Sequence, residues 1–336
     1  MRHRLQLGFA GAGWIGRMRM QALAETAAAK IVAVADSSQE ALAEVASIAP
    51  EAALLHDFDE LLDMELDGVV IATPNALHAT QATAVLNAGM AVFCQKPVGR
   101  SAYETRELLR VAQQMDRLVS TDFAYRFTAG MQAIKALING GELGSIYAAE
   151  LCFHNSYGPD KAWYYNREMS GGGCVLDLGT HLVDLALWPL KFVPVDRVSS
   201  RLFAKGCRLR PYRGEQVEDF AFADIELENG VAVHLACSWG RPLGCDSLIR
   251  VIYHGERGAA ELRNVNGSFF DFTACHYRGR EGRLLSSPPD DWSGRALLNW
   301  IERLSMSNKF TEDAWEIAKV AEIVDAIYSG TVMAPL

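Results

Sequence analysis

A short apolar run at residues 5–10 ends in glycines that open a helical stretch at 14–29, and this junction constrains the chain more than any other feature. Strand, glycine turn and helix in immediate succession begin a β-α-β unit. The turn reads Gly11-Ala12-Gly13-Trp14-Ile15-Gly16, the spacing G-x-G-x-x-G, and Asp36 closes the next apolar run, 31–35. Alone the glycine spacing is weak; between a strand and a helix, with an acid at the next strand end, it is the dinucleotide fingerprint. Gly11 permits the tight turn, Gly13 lets backbone approach a pyrophosphate, and Gly16 lets helix pack on strand. The first helical N–H groups, from Trp14 and Ile15 onward, favour the diphosphate charge.

Asp36 is suited to accept hydrogen bonds from an adenosine ribose and to repel a 2′-phosphate. Ser37 and Ser38 follow it, with no arginine to welcome that phosphate. The expected cofactor is NAD, with NADP less favoured and Arg17 the one nearby exception. FAD shares the glycine loop and is disfavoured by the architecture that follows.

The rest of the first 120 residues keeps the same rhythm. Apolar runs at 68–72, 90–94 and 118–121 alternate with helical stretches at 40–48, 76–87 and 102–115. Strands apolar on both faces, alternating with helices, indicate a parallel sheet covered on each side. Near residue 123 the pattern changes. Residues 217–240 alternate with period two around Asn229-Gly230, a hairpin signal. Further strand-like segments lie at 247–254, 259–263 and 268–273, and helical stretches at 294–306 and 312–328 close the chain. The expected fold is α/β: a doubly wound parallel sheet over 1–122, then an α+β domain over 123–336 with a large open, mostly antiparallel sheet. The last helix is the candidate to pack back on the first domain.

Composition narrows the class. Half the residues are hydrophobic and 22% are charged, enough apolar material for a core, and the formal net charge is −9. Such a balance repels phosphate backbones and anionic lipid, so neither nucleic acid nor membrane is an expected partner. The seven cysteines include no C-x-x-C spacing, which leaves no zinc site to propose and fits free thiols in a reducing cytoplasm. Arg2, His3 and Arg4 precede an apolar stretch as in a secretory leader, but that stretch is short and glycine-rich, and no run reaches the length of a membrane span.

Two further clusters carry chemistry. Thr73-Pro74-Asn75, with His78, follows the run 68–72, and Gln95-Lys96-Pro97 follows the run 90–94. Ligands of parallel open sheets bind outside the carboxyl ends of strands, so Lys96 stands where a nicotinamide is expected. The bland alternative is a surface lysine beside a loop proline. The second cluster is Gly171-Gly172-Gly173 followed by Asp177, His181 and Asp184, which make one stripe on a helix in apolar surroundings. A buried structural pair and a metal set are its alternatives, and no second ligand group has matching spacing.

Together these segments resemble the glucose–fructose oxidoreductase / inositol dehydrogenase / MocA family. The matching residues are GAGWIG at 11–16, TPNALHATQATAVLNAG at 73–89, QKP at 95–97, YRF at 125–127, ELG at 142–144 and GGGCVLDLGTH at 171–181. The resemblance implies nicotinamide-dependent oxidation of a hydroxyl, or reduction of a ketone, on a sugar or cyclitol. It implies Lys96, Asp177 and His181 as the catalytic set: His181 as base, Lys96 at the reacting oxygen, Asp177 orienting substrate or His181. It also places Thr73, Pro74, Asn75 and His78 at the cofactor. One departure stands out. The family usually has Glu-Lys-Pro, and Gln95 here removes a carboxylate partner beside the lysine.

Between the clusters, Asn155, Trp163 and Tyr165 are candidate substrate residues, because aromatics cover sugar faces and amides bind hydroxyls. Arg126 is a candidate for an anionic group. Packing or a subunit contact explains the same residues equally well. Strands apolar in part on both faces predict a homo-oligomer, dimer or tetramer. The rival functions are an NAD-dependent glycoside hydrolase working by transient oxidation and a non-catalytic NAD-binding sensor.

Overall fold

The computed structural model of the chain describes residues 4–209 and 216–330; the outermost residues of the expected domain limits, 1–3 and 331–336, lie outside them. From the start, β1 (Gln6–Ala10) leads through the glycine loop into α1 (Trp14–Thr26). There follow β2 (Lys30–Ala35), α2 (Gln39–Val45), β3 (Ala53–Leu55), β4 (Gly68–Ile71), α3 (Asn75–Asn87), β5 (Ala91–Cys94), α4 (Ala102–Gln114) and β6 (Val119–Thr121). The six strands pair in parallel in the order β3-β2-β1-β4-β5-β6. The order turns back between β1 and β4, and the glycine loop leaves β1 at that point, where open α/β sheets bind ligands. Strands β4 and β5 are buried throughout, which is why they read as unbroken apolar runs.

Some details differ from the sequence expectation, and α1 stops at Thr26 rather than at 29. β3 is an additional edge strand of three residues, mostly exposed, with no buried face to mark it. α2 ends at Val45 rather than at 48, where a tight turn from Ile48 N–H to Val45 C=O takes over.

The chain continues with α5 (Ala129–Asn139), β7 (Ile146–Asn155), α6 (Arg167–Ser170), α7 (Thr180–Leu187), β8 (Val195–Ala204) and β9 (Cys207–Arg208). The strands β10 (Phe220–Leu227), β11 (Ala232–Ser238), β12 (Ser247–Gly255), β13 (Gly258–Asn264), β14 (Phe272–Arg278) and β15 (Glu281–Ser286) come next. They form one nine-stranded sheet, β15-β14-β13-β12-β7-β11-β10-β8-β9, antiparallel except between β7 and β11. The hairpin at Asn229-Gly230 is present, with Gly230 at φ 84° and Asn229 Oδ1 accepting from Val231 N–H. The expected strand at 268–273 is displaced to β14, because the Ser268 hydroxyl accepts the N–H groups of Phe270 and Asp271 and ties that segment into a turn.

One face of this sheet is packed. Along β10, Ala221, Ala223, Ile225 and Leu227 are buried while Phe222, Asp224 and Glu226 are exposed. Helix α5 lies so close to the packed face that a Cβ on Gly130 would come within 2.4 Å of Leu262. The other face is mixed rather than apolar: exposed Phe222, Leu248 and Leu284 share it with the pairs His234–Asp224 and His254–Glu150.

Helices α8 (Arg295–Met306) and α9 (Trp315–Ser329) end the described chain. Two compact units result, one from residues up to Ala124 together with Ser293–Ala318, the other from Tyr125–Trp292 together with the chain from Lys319. The piece that returns to the first unit is α8 with the first turn of α9. Trp300 of α8 is fully buried there, 5.7 Å from the Phe93 ring, and fills the space that a side chain at Gly68 would need. No helix among the described residues is long and apolar enough to cross a membrane.

Candidate active site

In the first unit the glycine loop has the shape a dinucleotide requires. Gly11 stands at φ 100°, and a Cβ there would sit 2.5 Å from the Ala72 carbonyl oxygen. A Cβ on Gly16 would meet the Gly11 oxygen at 2.1 Å, whereas the space beside Gly13 is open. Helix α1 has no side-chain cap and no acid in its first turn, so its leading N–H groups and positive end are left for a bound anion. Trp14 is 61% exposed beside them and Ile15 is half-buried. The Asp36 carboxylate accepts from Ala12 N–H at 2.7 Å and from Ser38 N–H at 2.8 Å, which fixes it at the loop. Arg17 donates to the Ala12 carbonyl at 2.6 Å and pairs with Glu44 at 2.9 Å. These residues fit an NAD(P) molecule.

Beyond β4 and β5 lie the two expected loops. Asn75 is the buried first residue of α3, and Thr73 donates its hydroxyl to Gln81 at 2.6 Å. The Lys96–Pro97 peptide is cis. His78 is a further expected cofactor residue. It is buried, with Nδ1 2.7 Å from the Pro97 carbonyl and Nε2 2.6 Å from the Thr73 carbonyl, and so sits between the two loops. Burial, opposed by these two bonds and aided by the Lys96 charge, pushes its pKa down. Gln95 is buried and donates its amide to Asp122 Oδ2, the same oxygen that pairs with Arg19 Nε at 2.6 Å.

In the second unit the Gly171–Gly173 run has a packing cause. A Cβ on Gly172 would lie 2.0 Å from the Tyr328 hydroxyl, and one on Gly173 would lie 1.9 Å from the Glu218 backbone oxygen. The fully buried Glu218 carboxylate accepts from Gly173 N–H, Val175 N–H and the Tyr328 hydroxyl at 2.9–3.0 Å. It caps the segment that carries the expected catalytic residues. That segment is not a plain α-helix. Asp177 lies in a π-helical turn, Val175–Gly179, that runs directly into α7 with His181. π-Helical turns of this kind concentrate at functional sites.

Asp177 accepts the indole N–H of Trp239 at 3.1 Å. Its charge adds to burial in pushing the Tyr125 and Tyr164 hydroxyls up. The His181 ring meets Tyr125 edge-on at 4.9 Å and lies 6.4 Å from Phe153. Asp184, the third member of the expected stripe, is committed elsewhere: Arg126 grips it with Nε at 2.9 and 3.0 Å and Nη2 at 2.5 Å. Arg126, the expected ligand of an anionic group, also lies over Trp188 and Phe192. Asn155 ends β7 on the Phe153 side, with its buried Oδ1 lacking a protein hydrogen-bond partner. Trp163 stacks on Tyr164 at 3.8 Å; Tyr165 donates its hydroxyl to the Pro159 carbonyl and packs on Trp239. The second unit thus holds an imidazole, a carboxylate, an amide and stacked rings.

Arg19, Asp122, Glu218 and Trp239 were not read from the sequence. The only signal for the first two is a charge in otherwise apolar surroundings, since both are buried.

Comparison with known proteins accounts for both halves. A family model described as oxidoreductase family, NAD-binding Rossmann fold, matches residues 5–123, and one described as GFO/IDH/MocA C-terminal domain matches 131–261. The D-glucoside 3-dehydrogenase of Escherichia coli K12 is 27% identical over 282 residues, covering 80% of this chain and 78% of that protein. Among solved structures, a levoglucosan dehydrogenase in complex with NADH superposes with a TM-score of 0.82 at 20% identity, covering 98% and 97% of the two chains. KijD10, a 3-ketoreductase from Actinomadura kijaniata in complex with NADP and TDP-benzene, gives 0.84 at 18% identity, covering 98% of each. With a glycine loop built for a dinucleotide and family models matched to both halves, the chain belongs to the glucose–fructose oxidoreductase / inositol dehydrogenase / MocA family of oxidoreductases.

Proposed function

We propose that the chain is an NAD-dependent dehydrogenase of a secondary hydroxyl on a sugar, cyclitol or related polyol, reducing the ketone in the reverse direction. The observation that carries this reading is the pair Asp177 and His181 at the junction of π turn and α7, with Asp177 held by an indole N–H. His181 takes the hydroxyl proton on its imidazole, the side chain that most often serves as a general base. Lys96 donates to the reacting oxygen and stabilises the alkoxide charge as it develops. Asp177 orients His181 or a neighbouring hydroxyl. Bound nicotinamide supplies the hydride acceptor. Asn155 binds a hydroxyl with its side-chain amide, and Trp163 with Tyr164 covers an apolar ring face.

Two observations support NAD over NADP. The Asp36 carboxylate is fixed at the loop by two backbone donors, and Arg17 is engaged by Ala12 and Glu44. The likeness to structures holding either cofactor does not favour one, so the choice rests on these residues. We further propose a cytoplasmic location, supported by seven cysteines outside any disulfide, and a homo-oligomer, supported by Phe222, Leu248 and Leu284 exposed on one sheet.

The test is to incubate the protein with NAD and a panel of myo-inositol, free sugars and methyl glucosides, following the absorbance of reduced nicotinamide. A steady rise with at least one of them is the expected result. Glycoside cleavage without net reduction, or silence across a panel extended to their ketones with NADH, would overturn the reading.

A further inference from the structure

We infer that Arg19, Asp122 and Gln95 form a positioning network that sets the loop bearing Lys96 against the nucleotide-binding helix. Three elements of the first unit meet in it. Arg19 comes from α1, which the glycine loop opens; Gln95 is the chain neighbour of Lys96 beyond β5; Asp122 follows β6. Asp122 Oδ2 receives both the Arg19 Nε–H, at 2.6 Å, and the Gln95 amide. The Asp122 N–H also closes on the Cys94 carbonyl at 3.0 Å, so both the side chain and the backbone of this residue hold the β5 exit.

All three side chains are nearly removed from water, with Arg19 5%, Gln95 8% and Asp122 1% exposed. Burying a carboxylate is costly unless it is paired and hydrogen-bonded, and the guanidinium and amide supply both to Asp122 Oδ2. Asp122 Oδ2 alone ties α1, the Lys96 loop and the β6 exit together, while Arg19 Nη1 and Asp122 Oδ1 are buried without a hydrogen-bond partner. The network also answers the departure at Gln95. The residue before the lysine carries no charge here, and a carboxylate stands opposite it as Asp122. One acid, one amide and one guanidinium meet there. A second carboxylate at 95 would leave two acids for one arginine in a dry site.

The inference rests on Lys96 acting in the reaction, and the test separates the two claims. Gln95→Met keeps volume and the Arg19–Asp122 pair while removing the amide link. Lys96→Ala, the double variant of both, and the exchange Gln95→Glu/Asp122→Asn complete the set. Each is assayed for kcat, KM, NAD affinity and Tm, with NAD and the panel polyol that turns over, or with its ketone and NADH. We expect Gln95→Met to lower kcat ~10-fold with NAD affinity nearly unchanged, and to cost nothing further in the Lys96→Ala background, because residues acting through one group are not additive. The exchange variant, which conserves the charges, recovers most of kcat. Equal losses from Gln95→Met in both backgrounds, or none in either while Lys96→Ala is inactive, overturn the positioning role alone. Full turnover in Lys96→Ala overturns the assignment of Lys96, and the inference with it.

Discussion

Trp239 donates its indole N–H to the Asp177 carboxylate across 3.1 Å, joining the end of β11 to the π turn that precedes His181. The ring is buried, flanked by Tyr164 and Tyr165, so the bond lies in a poorly hydrated place where a charge-assisted hydrogen bond contributes most. Trp239→Phe keeps the ring and removes the donor. A loss of about 1.5–3 kcal/mol in transition-state stabilisation, roughly 10–150-fold in kcat/KM, is expected, with NAD binding intact. Unchanged kcat/KM would show that Asp177 needs no such anchor.

Asp36 sits between two backbone donors at the glycine loop. Asp36→Ala removes the acceptor for a ribose hydroxyl and the charge facing a 2′-phosphate. NAD affinity should fall by about 1–3 kcal/mol while NADP affinity holds or rises. Calorimetric titration of both cofactors checks this, and a parallel loss for the two would remove Asp36 from the specificity argument.

Arg126 and Asp184 are buried partners, 15% and 2% exposed. Arg126→Ala strands the carboxylate, and the expected cost is about 3–5 kcal/mol of stability. Denaturant unfolding measures it. A variant as stable as the parent, with only KM raised, would instead make Arg126 a substrate contact.

Gly173 has no room for a methyl group, since the obstacle at 1.9 Å is the Glu218 backbone and not a side chain that can swing away. Gly173→Ala should cost about 3 kcal/mol, lowering Tm, and should displace the turn carrying Asp177. Normal Tm and kcat in this variant would contradict the account of the glycine run.

His154 lies between the Ser238 hydroxyl, 2.8 Å from Nδ1, and Arg241, 3.1 Å from Nε2. Burial, then the Arg241 charge, push its pKa down from 6.5 to about 4. Below pH 6.5 the unfolded chain takes up a proton that the folded chain refuses until about pH 4, so this contribution to stability is lost as pH falls through that window. His78, also pushed down, acts in the same direction. Urea midpoints measured across the window should fall for the parent and fall less steeply for His154→Asn. Identical slopes would clear His154 of the effect.

Some of this was legible in the residues and some was not, for physical reasons. The glycine loop and Asp36 could be read because a tight turn and a close approach demand particular residue types at short spacing. The hairpin at Asn229-Gly230 was legible for the same reason. β3 was not, because an exposed three-residue edge strand has no apolar face to alternate. The stripe of Asp177, His181 and Asp184 was read as one surface, yet Asp184 belongs to Arg126, 58 residues away in sequence. Periodicity places a side chain on a face; it does not choose its partner. Gln95 looked like a lost carboxylate until Asp122, 27 residues on, was found holding it.

Trp300 completes the core of the first unit, over Phe93 and Gly68, although it lies about 175 residues beyond Ala124, where that unit's opening stretch stops. A ribosome makes β1 to β6 early and α8 late. Through most of synthesis the parallel sheet therefore waits with the Trp300 socket unfilled, while the nine-stranded sheet is made in the interval. The nucleotide-binding unit cannot close until the chain through Trp300 has been made.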